Sequence, residues 1–232
     1  MWRLAVFVAA FAAPAVAEGV LEARYEGPTD RYAHGVLGDA IEWGELVMET
    51  DTGRTVRIVL PEERVFEDVA PRLFDVDQDG ENEVIVVETH RAVGARIAIY
   101  DPDGLVAAND YIGRPNRWLA PIGVGAADFD GDGRIELVYV DRPHLARTVR
   151  VLRFQDGELK FVASFPGVTN HRIGESDIAG GIRDCGDGPE MVVASVNWER
   201  VLALGFKGLR FSLREISPHE GRESFAAAMA CE

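Results

Sequence analysis

Only two of the 232 residues are cysteine, Cys185 and Cys231, and no apolar run approaches the roughly 20 residues needed to cross a bilayer. A disulfide-dense mini-domain and a membrane-spanning helix are therefore both excluded. There is no G-x-S-x-G elbow, no H-E-x-x-H helix, no glycine-rich phosphate loop and no candidate cysteine nucleophile with its own histidine. Motif-borne hydrolase, metalloprotease and nucleotide chemistry falls away with them. Basic residues are also scarce, 24 against 39 acidic, for a formal net charge of -15. Nucleic acid and anionic membrane are poor partners for such a surface. Strong amphipathic helical periodicity is missing throughout, apart from an Ala-rich tail from Gly221 to Ala230.

The N-terminus is patterned. Arg3 precedes an apolar stretch from Leu4 to Ala13, and Ala15-Val16-Ala17 supplies a small-residue cleavage site before Glu18. This predicts a secretory signal peptide over residues 1–17 and an exported protein, periplasmic or secreted. One optional disulfide suits that compartment.

Two acidic loops dominate the middle of the chain. Asp75-Val76-Asp77-Gln78-Asp79-Gly80-Glu81-Asn82-Glu83 runs into Val84-Ile85-Val86-Val87. Asp128-Phe129-Asp130-Gly131-Asp132-Gly133-Arg134-Ile135-Glu136 runs into Leu137-Val138-Tyr139-Val140. Each carries carboxylates at positions 1, 3, 5 and 9 and glycine at position 6. Carboxylates on alternate residues repel one another unless a cation neutralises them, and a hard dication taking 6–8 oxygens is the natural partner. The glycine permits the sharp turn that brings a position-7 carbonyl, from Glu81 or Arg134, toward the ion. An EF-hand would close with glutamate at position 12, where this chain has Val86 and Tyr139 inside strand-like runs. The alternative is a pair of solvated acidic turns.

These loops resemble those of the FG-GAP or VCBS repeat family, the integrin-α-like β-propellers, in which the loop joins the first and second strands of a blade. The resemblance implies side-chain ligation of one calcium by Asp75, Asp77, Asp79 and Glu83, and of another by Asp128, Asp130, Asp132 and Glu136. Both ions would be structural.

Periodicity extends the pattern. Acidic-then-apolar strand starts occur at Glu45, Glu83, Glu136 and Glu190, separated by 38, 53 and 54 residues. Second patterns follow at 54–60, 95–100, 148–154 and 200–206, and third ones at 65–69, 105–111, 159–165 and 209–216. Asp103-Gly104, Asp156-Gly157 and Lys207-Gly208 mark tight turns. The expected fold is all-β, a small β-propeller of about four four-stranded blades over residues 18–216. Residues 217–232 form a C-terminal tail with room for a short helix. A recurring segment at Gly27, Gly113 and Gly167 places Val20–Tyr25 as an outer strand closing the last blade. A five-bladed ring and an open array are the alternatives. The acidic patterns at Asp39, Glu42 and Glu45 and at Asp184 to Glu190 read as decayed loops. Cys185 lies in the second of these, so a Cys185–Cys231 disulfide would pin the tail over the blade without a metal, worth on the order of 3–5 kcal/mol. Two free thiols are the alternative.

The loops at the other end of a propeller carry basic and aromatic residues. His90, Arg117, Trp118, His144, His171, Arg172, Asn197 and Trp198 are the candidate ligand-binding set, suited to a protein or carbohydrate partner. Non-catalytic binding is the expected function, and no catalytic residue is assigned. The alternative is a hydrolase or lyase in the axial funnel opposite the calcium loops, with His90, His144 or His171 as acid or base. A zinc site from the same three histidines is a further alternative.

Overall fold

The computed structural model describes residues 18–232; the expected signal peptide at residues 1–17 lies outside them. Short β-branched runs broken by turn residues give an all-β, propeller-like arrangement of antiparallel sheets. The first sheet contains β1 (Val20–Thr29), β2 (Glu42–Thr50) and β3 (Thr55–Val59), with β2 in the middle. The second opens with a divided strand, β4 (Arg64–Phe66) and β5 (Arg72–Phe74). Both pieces pair with β6 (Glu83–His90), which leads to β7 (Gly94–Asp101) and β8 (Gly104–Ala108). The third is a complete four-stranded meander of β9 (Leu119–Ala127), β10 (Glu136–Asp141), β11 (Thr148–Gln155) and β12 (Glu158–Pro166). In the fourth, β13 (Val168–Thr169) and β14 (Gly181–Asp184) share β15 (Pro189–Ser195), followed by β16 (Arg200–Lys207) and β17 (Arg210–Pro218). Helix α1 (Arg222–Met229) lies in the tail. A single bridge between Trp43 and Phe66 joins the first two sheets.

Burial explains the sequence patterns. The second strands β6 and β10 are covered on both faces and read as nearly unbroken apolar runs, while the outer strands β12 and β17 are largely exposed. Asp156 and Gly157 turn the β11–β12 hairpin at φ 56° and 74°, as a two-residue turn of twist-compatible hand requires. The β16–β17 turn falls on Gly208-Leu209, at φ 53° and 64°, one residue later than expected. At φ 59°, Gly123 serves a close approach: a Cβ there would sit 2.9 Å from Gly181 Cα, where the inner strands of the third and fourth sheets meet.

The sheets stack face to face. Leu46 and Met48 of the first pack with Val84 and Val86 of the second. Ile97 and Ile99 pack with Leu137 and Tyr139 of the third, whose Val138 and Val151 pack in turn with Met191 and Val193 of the fourth. The far face of the fourth sheet, with Val192, Ala194 and Val201, is covered by Phe225 and Ala228 of α1. At the opposite end, Arg24 pairs with Glu26 and Glu49, and Arg57 with Glu26 and Glu45, across the outward face of the first sheet.

Two expectations need correction. Val20–Tyr25 does not complete the last blade, because β1 pairs with its neighbour β2 and α1 covers the fourth sheet. The first and fourth sheets instead meet through loops, where Gly174 N–H donates to Val36 O at 3.0 Å. The repeat is also offset in the first sheet. Val20 N–H donates to Asn82 O and Asp51 N–H to Gly19 O, so β1 starts and β2 ends at the acidic-loop end of the stack. By direction, β1, β2 and β3 occupy the second, third and outer places of a blade whose innermost place is unfilled among the described residues. Glu45 therefore lies inside a third strand, Asp39 and Glu42 stand at the other end from the two acidic loops, and Val65–Val69 begins the second blade rather than ending the first.

Candidate metal loops and an opposed cavity

The two acidic loops join β5 to β6 and β9 to β10 and fold alike. Position 4 is left-handed in each, Gln78 at φ 65° and Gly131 at 72°, and so is position 6, Gly80 at 98° and Gly133 at 78°. Asp75 accepts from Gly80 N–H and Asp128 from Gly133 N–H, both at 3.0 Å. Position 9 reaches back to the start of the loop: Glu83 accepts from Val76 N–H at 2.8 Å and Glu136 from Phe129 N–H at 3.1 Å.

This folding brings Asp75, Asp77 and Glu83 together, and likewise Asp128, Asp130 and Glu136, with one oxygen from each residue within 4.8 Å of the others. Both triplets could hold a metal ion. Asp75 Oδ1 and Asp130 Oδ1 are buried without a hydrogen-bond partner, and an all-oxygen set with an orphaned acceptor fits a hard cation. Asp79 and Asp132 stand outside the triplets; their carboxylates accept from Glu81 N–H at 2.9 Å and Arg134 N–H at 3.0 Å. The Gln78 amide donates to Gly133 O and ties the loops together.

At the other end lies a cavity of about 300 Å³. Trp118 is buried, held by its Nε1–H donating to Glu67 O at 2.7 Å, and lies beside Arg117, His144 and His34 in the cavity wall. Asn116 and Arg142 complete the polar lining, and Leu145 and Ile173, 64% and 70% exposed, form an apolar rim. Behind His34, the break between β4 and β5 places Glu67, fully buried, which accepts from His34 Nδ1–H and Thr89 Oγ1–H, each at 2.6 Å. Burial raises the Glu67 carboxyl above its ordinary range, with His34 opposing. Behind His144 stands buried His171, at 2.9 Å from Nε2 to Nδ1. Burial pushes His144 down to about 4, helped by the charges of His171, His34 and Arg147, and pushes His171 down as well.

Residues 75–139 match the FG-GAP-like repeat family. The matched span contains both acidic loops and the strands β6 to β9 between them. No curated protein shows a significant match to the chain.

Within this FG-GAP-like segment the two loops differ in counter-charge. Arg153, opposite Glu136 in the β10–β11 register, contacts Glu136 at 2.6 Å and Asp130 and Asp132 at 3.2 Å. In the β6–β7 register Val84 faces Tyr100, so the position opposite Glu83 is Asp101, whose carboxylate instead caps the following turn at the N–H groups of Asp103 and Gly104. Burial, joined by repulsion from Asp77, Asp79 and Asp75, pushes Glu83 up to about 7. Burial raises Glu136 too, with Arg153 opposing. The fourth sheet has gone further. Its Glu190 is held by Arg183 at 2.7 Å and Arg214 at 2.9 Å, and Cys185 of the shortened loop is disulfide-bonded to Cys231.

Of the expected ligand-face residues, the cavity gathers Arg117, Trp118 and His144, with His171 directly behind. His90 stands apart against Tyr111, its Nδ1 accepting from Ala92 N–H, so the His90–His144–His171 trio does not assemble. Arg172 lies over the Trp198 ring at 4.3 Å, and Asn197 closes the β15–β16 turn through Ser195. His34 and Glu67 are additions the sequence did not single out. The one local signal was the Glu67-Asp68 pair interrupting an apolar strand.

Proposed function

We propose that the chain is an exported, calcium-stabilised, β-propeller-like binding module that recognises a protein or carbohydrate partner through its cavity face. The observation that carries this reading is the pair of converging carboxylate triplets, each with a buried unpartnered oxygen, at the end of the stack opposite the cavity. Asp75, Asp77, Asp79 and Glu83, with the Glu81 carbonyl, would hold one calcium; Asp128, Asp130, Asp132 and Glu136, with the Arg134 carbonyl, would hold the other. Calcium accepts such irregular oxygen sets, which would cancel the repulsion within each loop and stiffen the turn between two core strands. The disulfide is compatible with export.

Calorimetric melting of residues 18–232 in EDTA and then in millimolar calcium tests the metal assignment. Binding to the folded state alone predicts about 3–4 kcal/mol of added stability per site at 100 to 1,000 times its dissociation constant. Asp77→Ala and Asp130→Ala should each remove one site's share, and equal melting in both buffers rejects calcium. The carboxylate-backed His34 favours a second reading, acid–base chemistry in the cavity by a hydrolase or lyase. It requires a His34→Asn variant that still binds its substrate but no longer turns it over.

A further inference from the structure

The hydrogen-bond tethers behind the cavity decide what its imidazoles can offer. A carbonyl only accepts, so the 2.8 Å contact from His171 Nε2 to Glu175 O places the proton on Nε2. Neutral His171 then has its lone pair on Nδ1, and His144 must donate to it from Nε2–H. His144 is left with Nδ1, an acceptor without a partner among the described residues, and burial beside His171, His34 and Arg147 keeps the ring neutral. His34 is tethered in the same sense: Nδ1–H donates to Glu67, and Nε2 has no partner among the described residues.

The cations differ in availability. Arg142 is held by Asp141 through two contacts of 2.8 Å. Arg117 donates to Asn116 O at 2.7 Å and has no carboxylate within ion-pair distance among the described residues. Although the chain has 39 acidic residues, none lines this cavity. The wall therefore presents one uncommitted guanidinium, two uncommitted ring nitrogens and an apolar rim. A simple carboxylate would satisfy Arg117 and strand the ring nitrogens; a neutral polyol would do the reverse.

We propose that this cavity binds a small polyhydroxy acid, its carboxylate on Arg117, its hydroxyls donating to His144 Nδ1 and His34 Nε2, and its carbon chain against Leu145 and Ile173. The assignment rests on the reading of the cavity face as the recognition face and names its ligand class. A volume of about 300 Å³ suits a six-carbon chain.

Three six-carbon probes separate the requirements: D-gluconate, sorbitol and hexanoate, titrated into the calcium-saturated chain by calorimetry and amide NMR. Gluconate should saturate and shift the amides of residues 34, 117 and 144, with sorbitol and hexanoate at least about tenfold weaker, one decade of affinity for each missing group type. Arg117→Met and His144→Phe should each weaken gluconate about tenfold, while Arg172→Met, outside the cavity, should not. Cooperative thermal melting checks that each variant folds. No saturable gluconate binding, equal binding by Arg117→Met, or hexanoate binding as tightly as gluconate would overturn the proposal. Gluconate binding without a calcium shift would reject the metal assignment alone, and a calcium shift without gluconate binding would reject the ligand alone.

Discussion

The loops at Asp75 and Asp128 have the same carboxylate pattern, the same left-handed positions and the same back-bond from position 9, yet one carries its own cation and the other does not. Arg153 occupies the second loop's carboxylates from the neighbouring strand, whereas the first loop has Asp101 at the matching place. The fourth sheet extends the series, with Arg183, Arg214 and a disulfide where carboxylates and space for an ion would be. Like-charge repulsion in a half-buried turn has to be relieved, and side-chain cations, a metal or a covalent tie can each do so. On the proposed calcium reading, the first loop is the one that would depend most on an ion from solution.

Arg153→Met would sharpen this comparison most. It leaves buried Glu136 facing two aspartates, so the calcium-free protein should lose about 3–5 kcal/mol in denaturant melts, with calcium restoring much of it. Unchanged stability would mean that Arg153 is only solvating the loop. Next in size, Cys185→Ser with Cys231→Ser should cost about 2–4 kcal/mol in chemical denaturation, equally with and without calcium. A calcium-dependent loss would tie the fourth sheet to the metal loops. Placing a cation beside the first loop by Asp101→Arg should weaken its calcium affinity by about tenfold, or about 1.4 kcal/mol, while the second site keeps its own; calcium calorimetry resolves the two.

A further effect comes from acid. His144 is depressed in the folded state, so the unfolded chain binds the extra proton first. Its contribution to stability is present above pH 6.5 and is lost as pH falls toward about 4. His144→Phe should flatten that part of the pH–stability profile relative to the parent chain, both in EDTA so that calcium release cannot contribute; an unaltered slope would assign the acid loss elsewhere.

The legible part of this molecule was local. The loops at Asp75 and Asp128, the strands they feed and a helix in the tail could be read because spacing alone determines which groups meet in a tight turn or along one strand; the Cys185–Cys231 bond, across 46 residues, could be read because the chain has only two cysteines. The first sheet was misread because Glu45 imitates the acidic strand starts, although its 38-residue spacing, against 53 and 54, already signalled a missing strand. The cavity depended on tertiary placement. His34 and Glu67 are 33 residues apart and meet only because the β4–β5 break turns the carboxylate toward the β1–β2 loop. His90 looked equivalent to His144, yet its ring settles on Tyr111.

A closed ring fixes its blade number, since every blade must touch two others. This stack instead ends on a charged sheet face at one side and on α1 at the other, so its length is set by two stoppers. The disulfide holds the second stopper in place beside the shortened loop. A blade inserted or deleted between the stoppers would leave both end faces unchanged at the cost of the Val36–Gly174 loop contact, giving the architecture more freedom in repeat number than circular closure through sheets allows.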